Sequence, residues 1–90
     1  MRQLTSQVID HVGEVVHLEG WLHKKRLLGG LTFINLRDRA GIVQAVIEDK
    51  AEVEKLRGMQ IGTVLSIDGN VVKEPRAPGG AELHLSLIHI

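Results

Sequence analysis

One short segment limits what this chain can fold into. Through most of its 90 residues apolar and polar side chains alternate, the period-two pattern of half-buried strands, but between Glu48 and Met59 the spacing lengthens. There Val53, Leu56 and Met59 recur at helical intervals among charges, which predicts a short amphipathic helix closed by Gly62. Strand-like runs lie on both sides of it. Glu14–Lys25 alternates with Val16, Leu18 and Leu22 on one parity, Gly29-Gly30 turns the chain into Leu31–Arg37, and Asp38-Arg39-Ala40-Gly41 reads as a tight hairpin into Ile42–Ile47. After the helix come Thr63–Lys73, a loop at Pro75–Gly80, and a last strand at Ala81–Ile90. The first dozen residues read as a short helix with Thr5 or Ser6 as N-cap and Gly13 at its end.

Three strands, a helix and two strands is the element order of an all-β, five-stranded OB-fold Greek-key barrel. A β-meander with a helix and an SH3-like barrel are the rivals, and the place of the helix favours the OB-fold. Gly20 and Gly69 fall inside strands, where a small barrel has to bend. Such a chain is one small domain or a piece of something larger, and it buries only about 60% of its unfolded surface. With 43% hydrophobic and 24% charged residues it has an ordinary globular balance. The absence of cysteine excludes disulfide scaffolds, thiolate zinc sites and thiol catalysis. No run approaches the roughly 18 apolar residues of a membrane span. MRQLTSQVIDHVGE lacks the apolar core of a secretory signal, so a cytoplasmic location and no membrane partner are expected.

Alternation separates the two faces of each strand. Val43, Ala45 and Ile47 form one set in the third strand, leaving Ile42, Gln44 and Val46 opposite; in the second, Ile34 and Leu36 look like core, which puts Phe33, Asn35 and Arg37 on the other side. An aromatic ring flanked by an amide and a guanidinium suits a nucleobase, which can lie on the ring while polar neighbours read its edge. The plainer alternative, Phe33 covering a barrel end or packing under the N-terminal helix, stays open. Trp21 shares parity with His17, Glu19 and His23, but the Gly20 bend is expected to turn it inward to pack. The five histidines are scattered without metal-ligand spacing, and Asp38 and Arg39 read as local turn residues. No metal site is expected, and no triad, phosphate loop or carboxylate pair marks a catalytic centre.

Eleven basic and eleven acidic residues cancel, which seems to argue against a polyanionic partner. By position they do not cancel. Residues 21–46 carry Lys24, Lys25, Arg26, Arg37 and Arg39 against Asp38 alone, a balance of +4, while Glu48, Asp49, Glu52 and Glu54 gather around the helix. A basic face on the strands that carry Phe33 favours nucleic-acid binding, against the bland reading of a solvated surface.

GWLHKKRLLGGLTFINLRDRAGIVQAVI resembles the N-terminal anticodon-binding domain of aspartyl-tRNA synthetases, in the class II subgroup shared with the asparaginyl and lysyl enzymes. The shared pattern is G-W-x-x-x-x-R-x-x-G-x-x-x-F-x-x-x-R-D-x-x-G-x-x-Q, and VVKEPRAPGGAELH is similar to the family's loop between fourth and fifth strands. The resemblance spans roughly residues 4–84. It implies that Phe33 stacks on the central uracil of the anticodon and that Gln44 hydrogen-bonds that base. By the same resemblance Arg26 contacts the anticodon loop and Glu82 helps read the first anticodon base. His23 and Pro78 resemble the pair found in non-discriminating enzymes that aspartylate both tRNA(Asp) and tRNA(Asn), and PRAPGG resembles that branch. One departure is Leu27, where the family commonly has aspartate beside the arginine.

The resemblance further implies a parent aspartate–tRNA ligase whose separate catalytic domain uses ATP and Mg2+, with no cofactor in this segment, a homodimeric parent, and an amidotransferase acting on Asp-tRNA(Asn). The whole of 1–90 is read as the anticodon-binding domain of that longer protein. The tail LSLIHI, residues 85–90, matches a translated frame of a common transposase-end adapter, so native sequence is expected to stop near His84; a genuine last strand is the competing reading. Two other functions stay open: a free-standing OB-fold protein for single-stranded nucleic acid, and a protein-interaction barrel using its basic face.

Overall fold

A computed structural model describes residues 2–28 and 31–89. Six strands form in the order β1 (Arg2–Gln3), β2 (Val15–Leu28), β3 (Leu31–Asp38), β4 (Gly41–Ile47), β5 (Val64–Lys73) and β6 (Ala81–His89). β2 pairs with β3, β3 with β4, β4 with β6, β6 with β5, and β5 returns to β2, so five strands close on themselves. β1 adds a short parallel edge to β2. Closure removes the open edges that a flat sheet of this length would expose. This is the OB-fold barrel that the element order predicts.

β2 is long enough to serve two neighbours. Its first half, Val15–Trp21, pairs with β5, and its second, Trp21–Leu28, pairs with β3. At the changeover the strands crowd: a Cβ on Gly20 would lie 2.2 Å from the Arg37 carbonyl oxygen, so only glycine fits. Gly69, at a register shift in β5, is held the same way, with the His84 carbonyl oxygen 2.5 Å from where its Cβ would be. A bulge in β2 between Leu22 and Lys24 is not legible in the residue pattern. It reverses the parity downstream, so that Val16, Leu18 and Leu22 point inward before it while Lys24 and Arg26 point outward after it.

The interior is filled by the apolar set that alternation predicts, including Leu18, Leu22, Ile34, Leu36, Val43 and Ala45, together with Ile67 of β5 and Leu83 and Ile88 of β6. Residues 85–89 continue β6: Leu87 pairs with Asp68 and His89 with Ser66. The α-helix α1 is shorter than its spacing predicts, Lys50–Arg57. Asp49 caps it by accepting from the backbone N–H groups of Ala51 and Glu52, and Gly58 rather than Gly62 stops it. Leu56 is its core residue.

The N-terminal helix is a 3-10 segment, Thr5–His11, and its cap differs from the expectation. Leu4 occupies the N-cap, its N–H donated to Gln7 Oε1 at 2.9 Å. Thr5 is used elsewhere: its hydroxyl donates to Asp38 Oδ1 at 2.7 Å and its N–H to Asp38 Oδ2 at 2.9 Å. Asp38 also accepts from Ala40 and Gly41 N–H, so it is both the local turn residue expected and the tie that holds the N-terminal segment over the β3–β4 hairpin.

Candidate nucleic-acid interface

Directly opposed residues in adjacent strands share a face, and the register arranges the outer side chains of β2, β3, β4 and β6 in rows. Arg26, Phe33, Val46 and His84 make the first row. Lys24, Asn35, Gln44 and Glu82 make the second. Trp21, Arg37 and Ile42 make a third across β2, β3 and β4. Successive rows are two residues apart, about 7 Å. Phe33 therefore stands between a guanidinium and an aliphatic side chain, with an amide and a carboxylate in the next row.

Two clefts meet at Phe33 and Gln44. One, of about 260 Å³, is bordered by Lys24, Lys25, Arg26 and Asn35; the other, of about 480 Å³, by Val46, Glu74, Arg76, Ala77 and Glu82. Glu74 and Arg76 were not singled out from the sequence. The charged pair inside the proline-rich loop was the available signal, and only closure of the barrel brings that loop over Phe33.

Polar geometry in the second row is specific. Gln44 Nε2 donates to Glu82 Oε2 at 3.2 Å, and His84 Nε2 lies 3.2 Å from Glu82 Oε1. A carboxylate only accepts, so the Gln44 amide is fixed with its nitrogen toward Glu82 and keeps one N–H and its oxygen for a ligand. Among the described residues none of Lys24, Arg26, Arg37, Arg39 and Arg76 makes an ion pair, whereas Lys55 and Arg57 of α1 are paired to Glu52 and Glu54.

Other sequence-selected residues are placed differently. Lys25 does not share the Phe33 face. The bulge sends it to the inner side, where Nζ donates to the carbonyls of Leu56, Arg57 and Met59 at 2.9, 3.3 and 2.6 Å. Trp21 does not turn inward: it is 38% exposed, opposite Arg37 and Val64. The Gly20 contact pulls the strand backbones together without rotating the next side chain. Arg39 is exposed in the hairpin just past the third row. His23 occupies the β2 bulge, and Pro78 lines a third cleft of about 530 Å³ with Ser6, Ile9, Arg37 and Ile42.

Among the described residues Asp38 is the one group whose titration is clearly displaced. Burial pushes its carboxyl up, but hydrogen bonds from the Thr5 hydroxyl and from the N–H groups of Thr5, Ala40 and Gly41 outweigh that and hold it below the ordinary carboxylate value. It is 4% exposed, and its charge is spent inside the fold rather than offsetting the outer cations. Among the described residues no three His, Asp or Glu side chains are grouped to hold a metal ion, and no helix is long and apolar enough to cross a membrane.

A closed five-stranded barrel with a helix between its third and fourth barrel strands, carrying an aromatic ring and unpaired cations on one outer face, defines a module for single-stranded nucleic acid. The chain belongs to the tRNA anti-codon family described as the OB-fold nucleic acid binding domain, whose model matches residues 16–90. It is similar to the aspartate–tRNA(Asp/Asn) ligase of Archaeoglobus fulgidus, 43% identical over 92% of this chain and 20% of that protein. It is also similar to the asparagine–tRNA ligase of Pelotomaculum thermopropionicum, 38% identical over 97% of this chain and 21% of that one. Among solved structures, the asparaginyl-tRNA synthetase of Pyrococcus horikoshii complexed with asparaginyl-adenylate superposes on all of this chain and 22% of its own, with a TM-score of 0.92 and 29% identity. The chain thus spans about a fifth of the length of the curated relatives it matches.

Proposed function

We propose that this chain is the anticodon-recognition domain of an aspartate–tRNA ligase of the tRNA(Asp/Asn) kind. It holds the anticodon loop on the outer face of the barrel while a domain outside this chain, using ATP and Mg2+, joins aspartate to the tRNA. The observation that carries this is the pairing of Phe33 with the oriented Gln44–Glu82 couple, bordered by Lys24, Arg26 and Arg76. A base stacked on Phe33 presents its edge to an amide that cannot flip. Uracil and cytosine offer donor and acceptor in opposite order along that edge, so a fixed amide separates them; Glu82 orients Gln44 and keeps lone pairs for a neighbouring base. His23 and Pro78 would set any tolerance for tRNA(Asn). A cytoplasmic location, a homodimeric parent and an amidotransferase acting on Asp-tRNA(Asn) belong to the same reading.

The test is titration of the 90-residue protein with anticodon stem-loops. Those of tRNA(Asp) and tRNA(Asn) should bind, and a central uracil-to-cytosine change should weaken binding. Phe33→Ala should cost about 1–3 kcal/mol through lost stacking. Equal affinity of Phe33→Ala and wild type would refute the assignment, and binding indifferent to the central base would favour a free-standing single-strand binder.

A further inference from the structure

The third row is unused by the anticodon reading, and it contains the larger of the two aromatic residues. Trp21 is where β2 passes from β5 to β3: its backbone opposes Val64 on one side and Arg37 on the other, so all three side chains leave the same face of the sheet. Gly20 lets β3 approach β2 this closely, which holds the Trp21 ring beside Arg37 instead of letting the strands splay. Arg37 and Arg39 are both exposed without ion-pair partners among the described residues, and Asp38 between them is buried with its charge already satisfied. The local surface is therefore an indole edged by cations. Beyond Arg37 and Ile42 lies the cleft of about 530 Å³, open next to the row. Arg37 is four residues along β3 from Phe33, about 13 Å, and the rows form one continuous outer face. Single-stranded RNA leaving Phe33 along this face reaches Trp21 after about two nucleotides.

We propose that Trp21, with Arg37 beside it, is a second stacking platform that takes a loop nucleotide flanking the three anticodon positions: its base on the indole, its phosphate at Arg37. This rests on the anticodon reading and extends it from three recognised bases to a longer stretch of the loop. An apolar protein surface is the competing occupant of an exposed tryptophan beside Val64, but the flanking cations and the continuity with the Phe33 face favour a nucleotide.

Trp21 is the only tryptophan and the chain has no tyrosine, so its emission reports on this site directly. In the wild-type 90-residue protein, an intact anticodon stem-loop should quench Trp21 fluorescence. A stem-loop whose loop nucleotides outside the triplet are abasic should bind more weakly and leave the emission unchanged. Trp21→Ala should weaken binding of the intact RNA by about 5- to 100-fold and change that of the abasic-flanked RNA less than about twofold. Emission unchanged on binding of the intact RNA, or equal losses for both RNAs in Trp21→Ala, would overturn the proposal and give the face to a protein partner. The wild-type fluorescence decides the matter even if Trp21→Ala folds poorly. Phe33→Ala separates the two readings: undiminished affinity there would remove the anticodon assignment, whereas its loss with silent Trp21 emission would remove only the second platform.

Discussion

Asp38 sits where turn geometry, N-terminal docking and charge all depend on one carboxylate. Because its folded pKa lies below the unfolded value near 3.8, the ionised form is favoured by folding. That stabilisation is complete above the unfolded value and is lost as pH falls through the folded one. Wild-type stability should therefore drop on acidification below about pH 4. Asp38→Asn should lose about 1–3 kcal/mol at neutral pH and show less of the acid-induced fall. Denaturant midpoints of both proteins at pH 7 and pH 3 check this, and parallel pH profiles would show that Asp38 is not the group responsible. At this scale the sequence was readable where alternation ran unbroken. Phe33, Asn35 and Gln44 fall on one face because β3 and β4 pair in simple register from Thr32 to Ile47; Glu82, which only the family resemblance singles out, joins them through the pairing of β6 with β4. The Thr5 bonds to Asp38 were not readable, since 33 residues separate the partners and either alone looks like a local cap or turn.

The element that most changes the reading is β2. A basic run such as Lys24-Lys25-Arg26 invites a uniform assignment to one face, but a strand cannot present three successive side chains to the same side. The bulge at His23 decides which two face out, and it is hidden in the sequence because the three residues that follow it, Lys24, Lys25 and Arg26, are all basic. Lys25 consequently works for the fold: its ammonium gathers the carbonyls of Leu56 and Arg57 at the negative end of α1 and that of Met59 just past it, the Leu56 carbonyl also accepting from Met59 N–H. Lys25→Ala should destabilise the domain by about 1–3 kcal/mol while changing stem-loop affinity less than about threefold. Lys24→Ala should do the reverse, weakening binding and its salt dependence with little loss of stability. Paired thermal melts and salt-dependent titrations separate the two lysines; a Lys25→Ala protein as stable as wild type would refute the structural role. Trp21 lies ahead of the bulge: the apolar parity of Val16, Leu18 and Leu22 already places it outside, and only the neighbouring glycine argues for an inward turn.

On the scale of the whole molecule, the zero net charge is a partition: Lys55 and Arg57 of α1 are paired to its own Glu52 and Glu54, and among the described residues the outer sheet face carries cations without ion-pair partners. That partition requires the barrel to close, and closure depends on β6. Its first half supplies Glu82 and His84 to the candidate site through pairing with β4, while its second half completes the wall against β5. There Leu85 and Ile88 enter the core, at 7% and 2% exposure. Buried Glu52 of α1 accepts from Ile88 N–H at 3.1 Å, and Lys55 donates to the Ile88 carbonyl at 3.0 Å. Most of what residues 85–89 contribute is backbone pairing plus two apolar side chains, a demand that many alternating sequences meet. Burial of Leu85 and Ile88 is worth about 1.5–3 kcal/mol each, against a total of about 5–15 kcal/mol for a domain. A chain ending at His84 loses both and leaves the Glu52 carboxylate buried with no strand to accept from. It should show no cooperative thermal unfolding transition above room temperature, and it should bind stem-loops only weakly because Glu82 loses its framework. Within the full chain, Ile88→Ser should approach that behaviour, whereas Leu87→Ser, on the outer wall, should melt within a few degrees of wild type. Circular dichroism melts of the three proteins test the argument: a cooperative 1–84 domain, or equal effects of the two serine substitutions, would mean that the barrel closes without the second half of β6.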